Sequence, residues 1–333
     1  MINLSQKLNP KVLDKDVELM PIRKGFGEGL LRAAEIDKRV VGLCSDLTDS
    51  TNMNMFKAKF PDRFVEIGIA EQNMASVASG MAAMGKIPFI TSYAMFSPGR
   101  NWEQIRTTIC YNDRPVKIAG SHAGVSVGPD GGTHQALEDI AITRVIPNMV
   151  VISPCDAIEA KKATIVCSQT KYPTYIRLAR HPSPVITTED TPFEIGKAQT
   201  FFEPKDAKKA VVGIVATGAL VHKALLVANT LEKEGISVKV ANLATIKPLD
   251  EEYIWRLAHE TGALVTVEEH QIAGGMGSAV SECISRHFPV PIEFVGVNDS
   301  FGQSGTPEEL IKHYKMDEES ILQAVKKVIL RKK

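Results

Sequence analysis

Glu71 stands where an apolar run turns into a helical pattern, in Phe64-Val-Glu-Ile-Gly-Ile-Ala-Glu71-Gln-Asn73. The dipole of a helix favours a carboxylate in its first turn, so a capping acid is one reading. The helix that follows suggests another, because Ala75, Ser76, Ala78, Ser79, Gly80, Ala82 and Ala83 are small enough for a second helix or a cofactor to approach closely. A carboxylate at the carboxyl end of a parallel strand also lies on the usual site-forming edge of such sheets. A second constellation runs from Gly120 to Gln135 and places five glycines, His122, His134 and Asp130 within 15 residues. Glycine permits backbone conformations and close ligand approach denied to other residues. The two imidazoles are suited to proton transfer near neutral pH or to donation toward an oxyanion or hydroxyl. Arg180 and Ser50 each follow a strand pattern. A guanidinium there suits a phosphate or carboxylate, although such residues taken singly are more often surface ion pairs.

Other patterns carry less. Gly274-Gly275-Met276-Gly277 resembles a loose phosphate-binding turn, yet the same glycines serve any tight strand-to-helix connection. Gly124-Val-Ser126-Val-Gly128 has the spacing of a hydrolase elbow but lies inside the glycine loop. No HExxH or CxxC occurs, and His181, His222, His259, His270, His287 and His313 are dispersed, so no metal ligands are assigned.

The elements that must hold these residues form an α/β chain of two domains with mainly parallel sheets, read from short β-branched runs alternating with longer helical patterns. Strands are expected at Val40–Cys44, Phe64–Ile69, Ile87–Thr91, Val116–Ala119, Val150–Ser153 and Thr174–Leu178, with helices at Gln72–Met84 and Asp156–Gln169. A second series begins at Val211–Ala216 and continues through strands 236–242, 263–268 and 292–297. The expected division is an N-terminal arm at 1–19, a first domain at 20–190, a linker at 191–209 and a second domain at 210–333. With 333 residues the chain has length for two cores. Its 39 basic and 39 acidic side chains give no general attraction to nucleic acid. No apolar run approaches the roughly 20 residues of a membrane span, and the polar opening has no signal-peptide pattern. Five cysteines without paired spacing suit reduced thiols in a cytoplasm.

The ordered set Ser45-Asp46-Leu47, Gly68-Ile-Ala-Glu71-Gln-Asn73, Tyr93-Ala-Met-Phe96, His122, Gly128-Pro-Asp130-Gly-Gly-Thr-His134 and Arg180 resembles the thiamine-diphosphate enzymes of the transketolase group from about residue 15 onward. The resemblance covers the pyrimidine-binding and C-terminal domains of those enzymes. The Gly-Asp-Gly stretch with which the group holds the diphosphate and its Mg2+ does not occur in this sequence. The resemblance therefore implies the C-terminal subunit of a split transketolase, with an N-terminal subunit supplying the magnesium site, in an α2β2 heterotetramer.

By the same resemblance, Glu71 is the carboxyl group that hydrogen-bonds the aminopyrimidine of thiamine diphosphate, Phe96 stacks on that ring, and Tyr93 and Asp46 stand close by. His134 and Asp130 match the pair that holds the hydroxyls of the ketose donor, and His122, Arg180, Ser50 and Arg23 match the set that binds the sugar phosphate. The implied reaction is transfer of a two-carbon ketol unit between ketose and aldose phosphates of the pentose phosphate pathway. Deoxyxylulose-phosphate synthases and oxo-acid dehydrogenase beta subunits are the alternatives within the same cofactor class, and a noncatalytic nucleotide-binding module using Gly274–Gly277 is the alternative outside it. The sequence departs from full-length transketolases at Gly128-Pro-Asp-Gly-Gly132 and at Ser97-Pro-Gly99, where a third aromatic is expected.

Overall fold

Val40–Cys44 is apolar throughout and buried at every residue, a pattern that fits a strand covered on both faces. In the computed structural model, which describes residues 1–205 and 209–332, it is the second strand of the chain. The strands in order are β1 (Leu19–Pro21), β2 (Val40–Cys44), β3 (Phe64–Glu66), β4 (Ile87–Tyr93), β5 (Lys117–Ser121), β6 (Val150–Ile152), β7 (Thr174–Arg177), β8 (Pro182–Pro184), β9 (Gln199–Phe202), β10 (Val212–Ala216), β11 (Val238–Asn242), β12 (Thr245–Lys247), β13 (Leu264–Gln271) and β14 (Ile292–Val297). The helices are α1 (Ile22–Ile36), α2 (Asn54–Lys59), α3 (Glu71–Ala83), α4 (Trp102–Gln104), α5 (Asp139–Arg144), α6 (Ala157–Ser168), α7 (Leu220–Lys233), α8 (Glu251–Thr261), α9 (Met276–His287), α10 (Pro307–His313) and α11 (Glu318–Leu330).

Two large sheets result. The first has the order β12-β6-β7-β5-β4-β2-β3 and the second β14-β13-β10-β11-β9. Both are parallel except at one edge, where β12 runs antiparallel to β6 and β9 antiparallel to β11. Helix ends follow their local chemistry: the Asp250 carboxylate caps α8 at the Tyr253 amide, Gly262 closes it in a left-handed conformation, and Thr306 with Glu309 forms a capping box on α10.

The short strands differ most from expectation. Strand β3 stops at Glu66 instead of Ile69, and β9 lies inside the stretch read as a linker. The arm is no free tail. Leu8 and Val12 are buried in the same core as Val212, Ile214 and Val240, and His222 Nε2 donates to the Val12 carbonyl at 2.8 Å. A further core joins the sheets, with Met74, Ile118 and Met149 packed in one cluster with Val215, Leu264 and Met276.

Candidate active site

Strands β2, β4, β5 and β7 are neighbours and parallel, so their carboxyl ends share one edge, with Tyr93 paired to Ser121 and Gly120 to Arg177. The segments leaving that edge carry His122 and His134, singled out by type, and Tyr93 and Phe96, expected from the resemblance. Tyr93 at the end of β4 stacks on His122 just beyond β5, with ring centroids 3.8 Å apart. Phe96 lies parallel to Tyr93 at 6.0 Å, and His134 presents an edge to Phe96 at 5.5 Å.

Glu71, the first residue of α3, is 2% exposed, and its side chain caps nothing. Its Oε2 instead accepts from Arg100 Nη1 at 2.8 Å, and the Arg100 guanidinium lies 4.8 Å from the centre of the Phe96 ring. Asn101 fastens this loop to α3 by donating to the Glu71 carbonyl at 3.0 Å. A buried carboxylate beside an aromatic face is a suitable seat for a flat heteroaromatic ring with a basic nitrogen. The donor set therefore fits an aminopyrimidine.

Cations collect beyond the aromatic wall. Arg23 donates to the Ser50 carbonyl, and its buried Nε has no partner. Arg180 donates to the Val127 carbonyl at 2.7 Å and stands 3.6 Å from Asp130. Burial pushes the His122 imidazole down to about 3, helped by Arg23, Arg180 and His134. His122 is thus neutral in this state, and the positive charge here comes from Arg23 and Arg180. Two nearby guanidiniums with an orphaned N–H suit an anion. Asp46 lies two residues past β2, is exposed, and donates its amide to Glu66 Oε1 at 2.8 Å; among the described residues no hydrogen bond ties it to the aromatic cluster.

The glycine loop uses much of its freedom to meet the second domain. Gly124 has φ +89°, and a Cβ there would lie 2.3 Å from Glu269 Oε1, the atom that also accepts the Ser126 amide at 2.6 Å. A Cβ on Gly132 would lie 2.6 Å from the Gly302 carbonyl. Beneath the loop, Arg177 and Tyr175 both donate to Asp139 Oδ2, at 2.8 and 2.6 Å, and Arg177 reaches the Glu269 carbonyl at 2.8 Å. Arg100 and Glu269 were not singled out in the sequence, because nothing in their spacing marks a partner that only the fold supplies.

The Gly274–Gly277 turn is filled from within. Glu268 accepts the Met276 and Gly277 amides at 2.6 and 2.8 Å, so the N-terminus of α9 already holds a carboxylate of this chain. That excludes the phosphate-turn reading in this state.

Residues 18–184 match the transketolase pyrimidine-binding domain and residues 204–321 the transketolase C-terminal domain. A putative transketolase C-terminal section of Methanocaldococcus jannaschii is 43% identical over 307 residues, covering 91% of this chain and 95% of the relative. The 6-deoxy-6-sulfo-D-fructose transketolase subunit of a Clostridium species is 39% identical over 311 residues, covering 93% and 95%. Among solved structures, an inactive beta4 tetramer of a split-gene transketolase superposes with a TM-score of 0.87 at 41% identity, over 94% of this chain and 100% of that one.

Proposed function

The chain belongs to the transketolase family, and we propose on that premise that it transfers a two-carbon ketol unit from a ketose phosphate to an aldose phosphate, in complex with an N-terminal subunit. The observation that carries this reading is one cleft edge holding both a buried carboxylate beside an aromatic face, Glu71 with Phe96, and an anion site at Arg23 and Arg180.

Thiamine diphosphate, when bound, would supply a thiazolium C–H acidic enough to lose its proton to the cofactor's own amino group, leaving a carbon able to attack a ketose carbonyl. Glu71 holds a proton at the pyrimidine ring nitrogen, and its burial keeps water from competing for that hydrogen bond. Phe96 and Tyr93 would wall the ring, and Asp46 would stand on the same side of the sheet, past β2. His134 and Asp130 hold donor hydroxyls next to the reacting carbon, where a fixed donor is worth most as charge develops. Arg23, Ser50, His122 and Arg180 take the phosphate. Magnesium and the diphosphate fall to the partner subunit, in an α2β2 assembly.

Relatives of this chain extend to a sulfofructose transketolase subunit, so the sugar requires its own argument. Two guanidiniums match a phosphate dianion better than a sulfonate monoanion, which supports a sugar phosphate such as those of the pentose phosphate pathway. The five cysteines are all free and buried, which supports a reducing cytoplasm. Among the described residues no helix is long and apolar enough to cross a membrane.

The test is the reconstituted complex assayed with xylulose 5-phosphate plus ribose 5-phosphate, and separately with pyruvate plus glyceraldehyde 3-phosphate. Turnover with the first pair is expected. Turnover with pyruvate alone assigns the complex to synthase or oxo-acid chemistry and overturns the proposal.

A further inference from the structure

Helices α8 and α9 bring together three side chains that the dispersed histidines of the sequence did not suggest as a group. Glu251 is the first residue of α8, while Cys283 and His287 lie four apart on α9 and so share one face. One donor atom from each, a carboxylate oxygen, the thiol sulfur and an imidazole nitrogen, all lie within 4.8 Å of one another. His287 Nε2 is 3.2 Å from Glu251 Oε2, and Cys283 Sγ is 3.8 Å from the Glu251 carbonyl.

We propose that Glu251 Oε2, Cys283 Sγ and His287 Nε2 form a site for one zinc-class divalent cation, with water in the fourth position. Thiolate, imidazole and carboxylate are all ligands of Zn2+, and three protein ligands plus an open position is a common zinc arrangement. A hard cation such as Mg2+ or Ca2+ is disfavoured by the sulfur and by the single available carboxylate oxygen. Zinc–ligand bonds of about 2.0 to 2.3 Å put tetrahedral donors roughly 3.3 to 3.6 Å apart, so from within 4.8 Å the group must contract by at most about 1.5 Å. His287 can make that movement, since its side chain is 42% exposed. The second carboxylate oxygen is already held: Arg286 Nη2 donates to Glu251 Oε1 at 2.8 Å, which orients Oε2 as an outer partner orients a metal ligand.

A plain alternative is an Arg286–Glu251–His287 ion-pair group lying over a cysteine that merely fills the core. The two differ in what the thiol does. A cation takes Cys283 as the thiolate, so a thiol at the empty site must give up its proton. Cation binding displaces that proton to solvent and forms the metal–sulfur bond, and affinity rises with pH. An ion-pair group requires no such change. When filled, the site would tie the start of α8 to the last turn of α9.

Co2+ titration of the full chain tests this. The expected result is one cobalt per chain with a thiolate-to-cobalt charge-transfer band, displaced by one equivalent of Zn2+. Cys283→Ser removes the band, and His287→Gln weakens Zn2+ binding about tenfold or more. A wild-type chain without the band, or a band that survives in Cys283→Ser, overturns the proposal. If Cys283→Ser fails to fold, His287→Gln on the more exposed side chain decides: Zn2+ affinity equal to that of the unaltered chain overturns it.

Discussion

Arg100 and Glu71 are joined by a 2.8 Å bond in which a half-exposed guanidinium covers a carboxylate that is itself 2% exposed. Arg100 also lies over the Phe96 ring. It thus occupies the two surfaces, a carboxylate edge and an aromatic face, that a bound aminopyrimidine would need. A ring seated there as proposed competes with Arg100 for Glu71 Oε2. Removing Arg100 leaves the buried carboxylate unpaired until a ligand arrives. Arg100→Ala is therefore expected to lower the melting temperature of the chain alone and to enlarge the shift produced by thiamine diphosphate in the reconstituted complex. An unchanged shift would contradict this account.

Glu71→Gln keeps the shape of the side chain but cannot hold a proton as a carboxyl group does. Turnover of the complex should fall about 10²- to 10⁴-fold, the usual scale for losing a general acid or base. The circular dichroism melt should move little, because the partner left behind, Arg100, is half exposed. A variant with near-normal turnover would remove Glu71 from the site.

The pH behaviour of His122 has a definite sign. Its folded value of about 3 lies below the roughly 6.5 of an unfolded histidine, so between those values the unfolded chain binds a proton that the folded chain refuses. Stability therefore falls as pH drops through that window, by up to about 1.4 kcal/mol per pH unit, and this group has no effect above it. His122→Asn should flatten the slope between pH 6 and 5 in denaturant melts. Ribose 5-phosphate should raise the His122 value in an NMR titration by offsetting Arg23 and Arg180, and a value that stays fixed would move the phosphate elsewhere.

Gly124→Ala tests the seam between the glycine loop and the second domain. The left-handed backbone and the Glu269 carboxylate 2.3 Å from the new Cβ both oppose it. A loss of about 1–3 kcal/mol is expected in chemical denaturation, with a lower kcat/KM for the complex. Activity and stability both unchanged would mean that the loop is free of Glu269.

Long elements were legible in the sequence because their periodicity is intrinsic. Val40–Cys44 matches its expected bounds, and the helix expected at Asp156–Gln169 runs Ala157–Ser168, within one residue at each end. The short edge strands β9 and β12 were not, since three or four residues carry no period and depend on a neighbour for their hydrogen bonds. In the site, residue type pointed to His122 and His134 and the family resemblance to Tyr93 and Phe96, and the fold brings the four into one aromatic group. Neither type nor resemblance revealed what those residues or Glu71 lean on. Arg100 is one arginine among many until the loop after β4 returns to α3, and Glu251 is 32 residues from Cys283 in sequence. The glycines were noticed for the right property, but the atoms approaching them belong to Glu269 and Gly302 of the same chain.

Strand β12 belongs by sequence to the second half, yet it completes the first sheet, pairing Thr245 with Ile152. Chimaeras between homologues should therefore fail at the obvious crossover near residue 190. A first half from one parent would have to accept both an edge strand and the Glu269 clasp from the other, or expose the N–H and C=O groups of β6 to any strand that could pair with them. The exchangeable unit is the pair of sheets together.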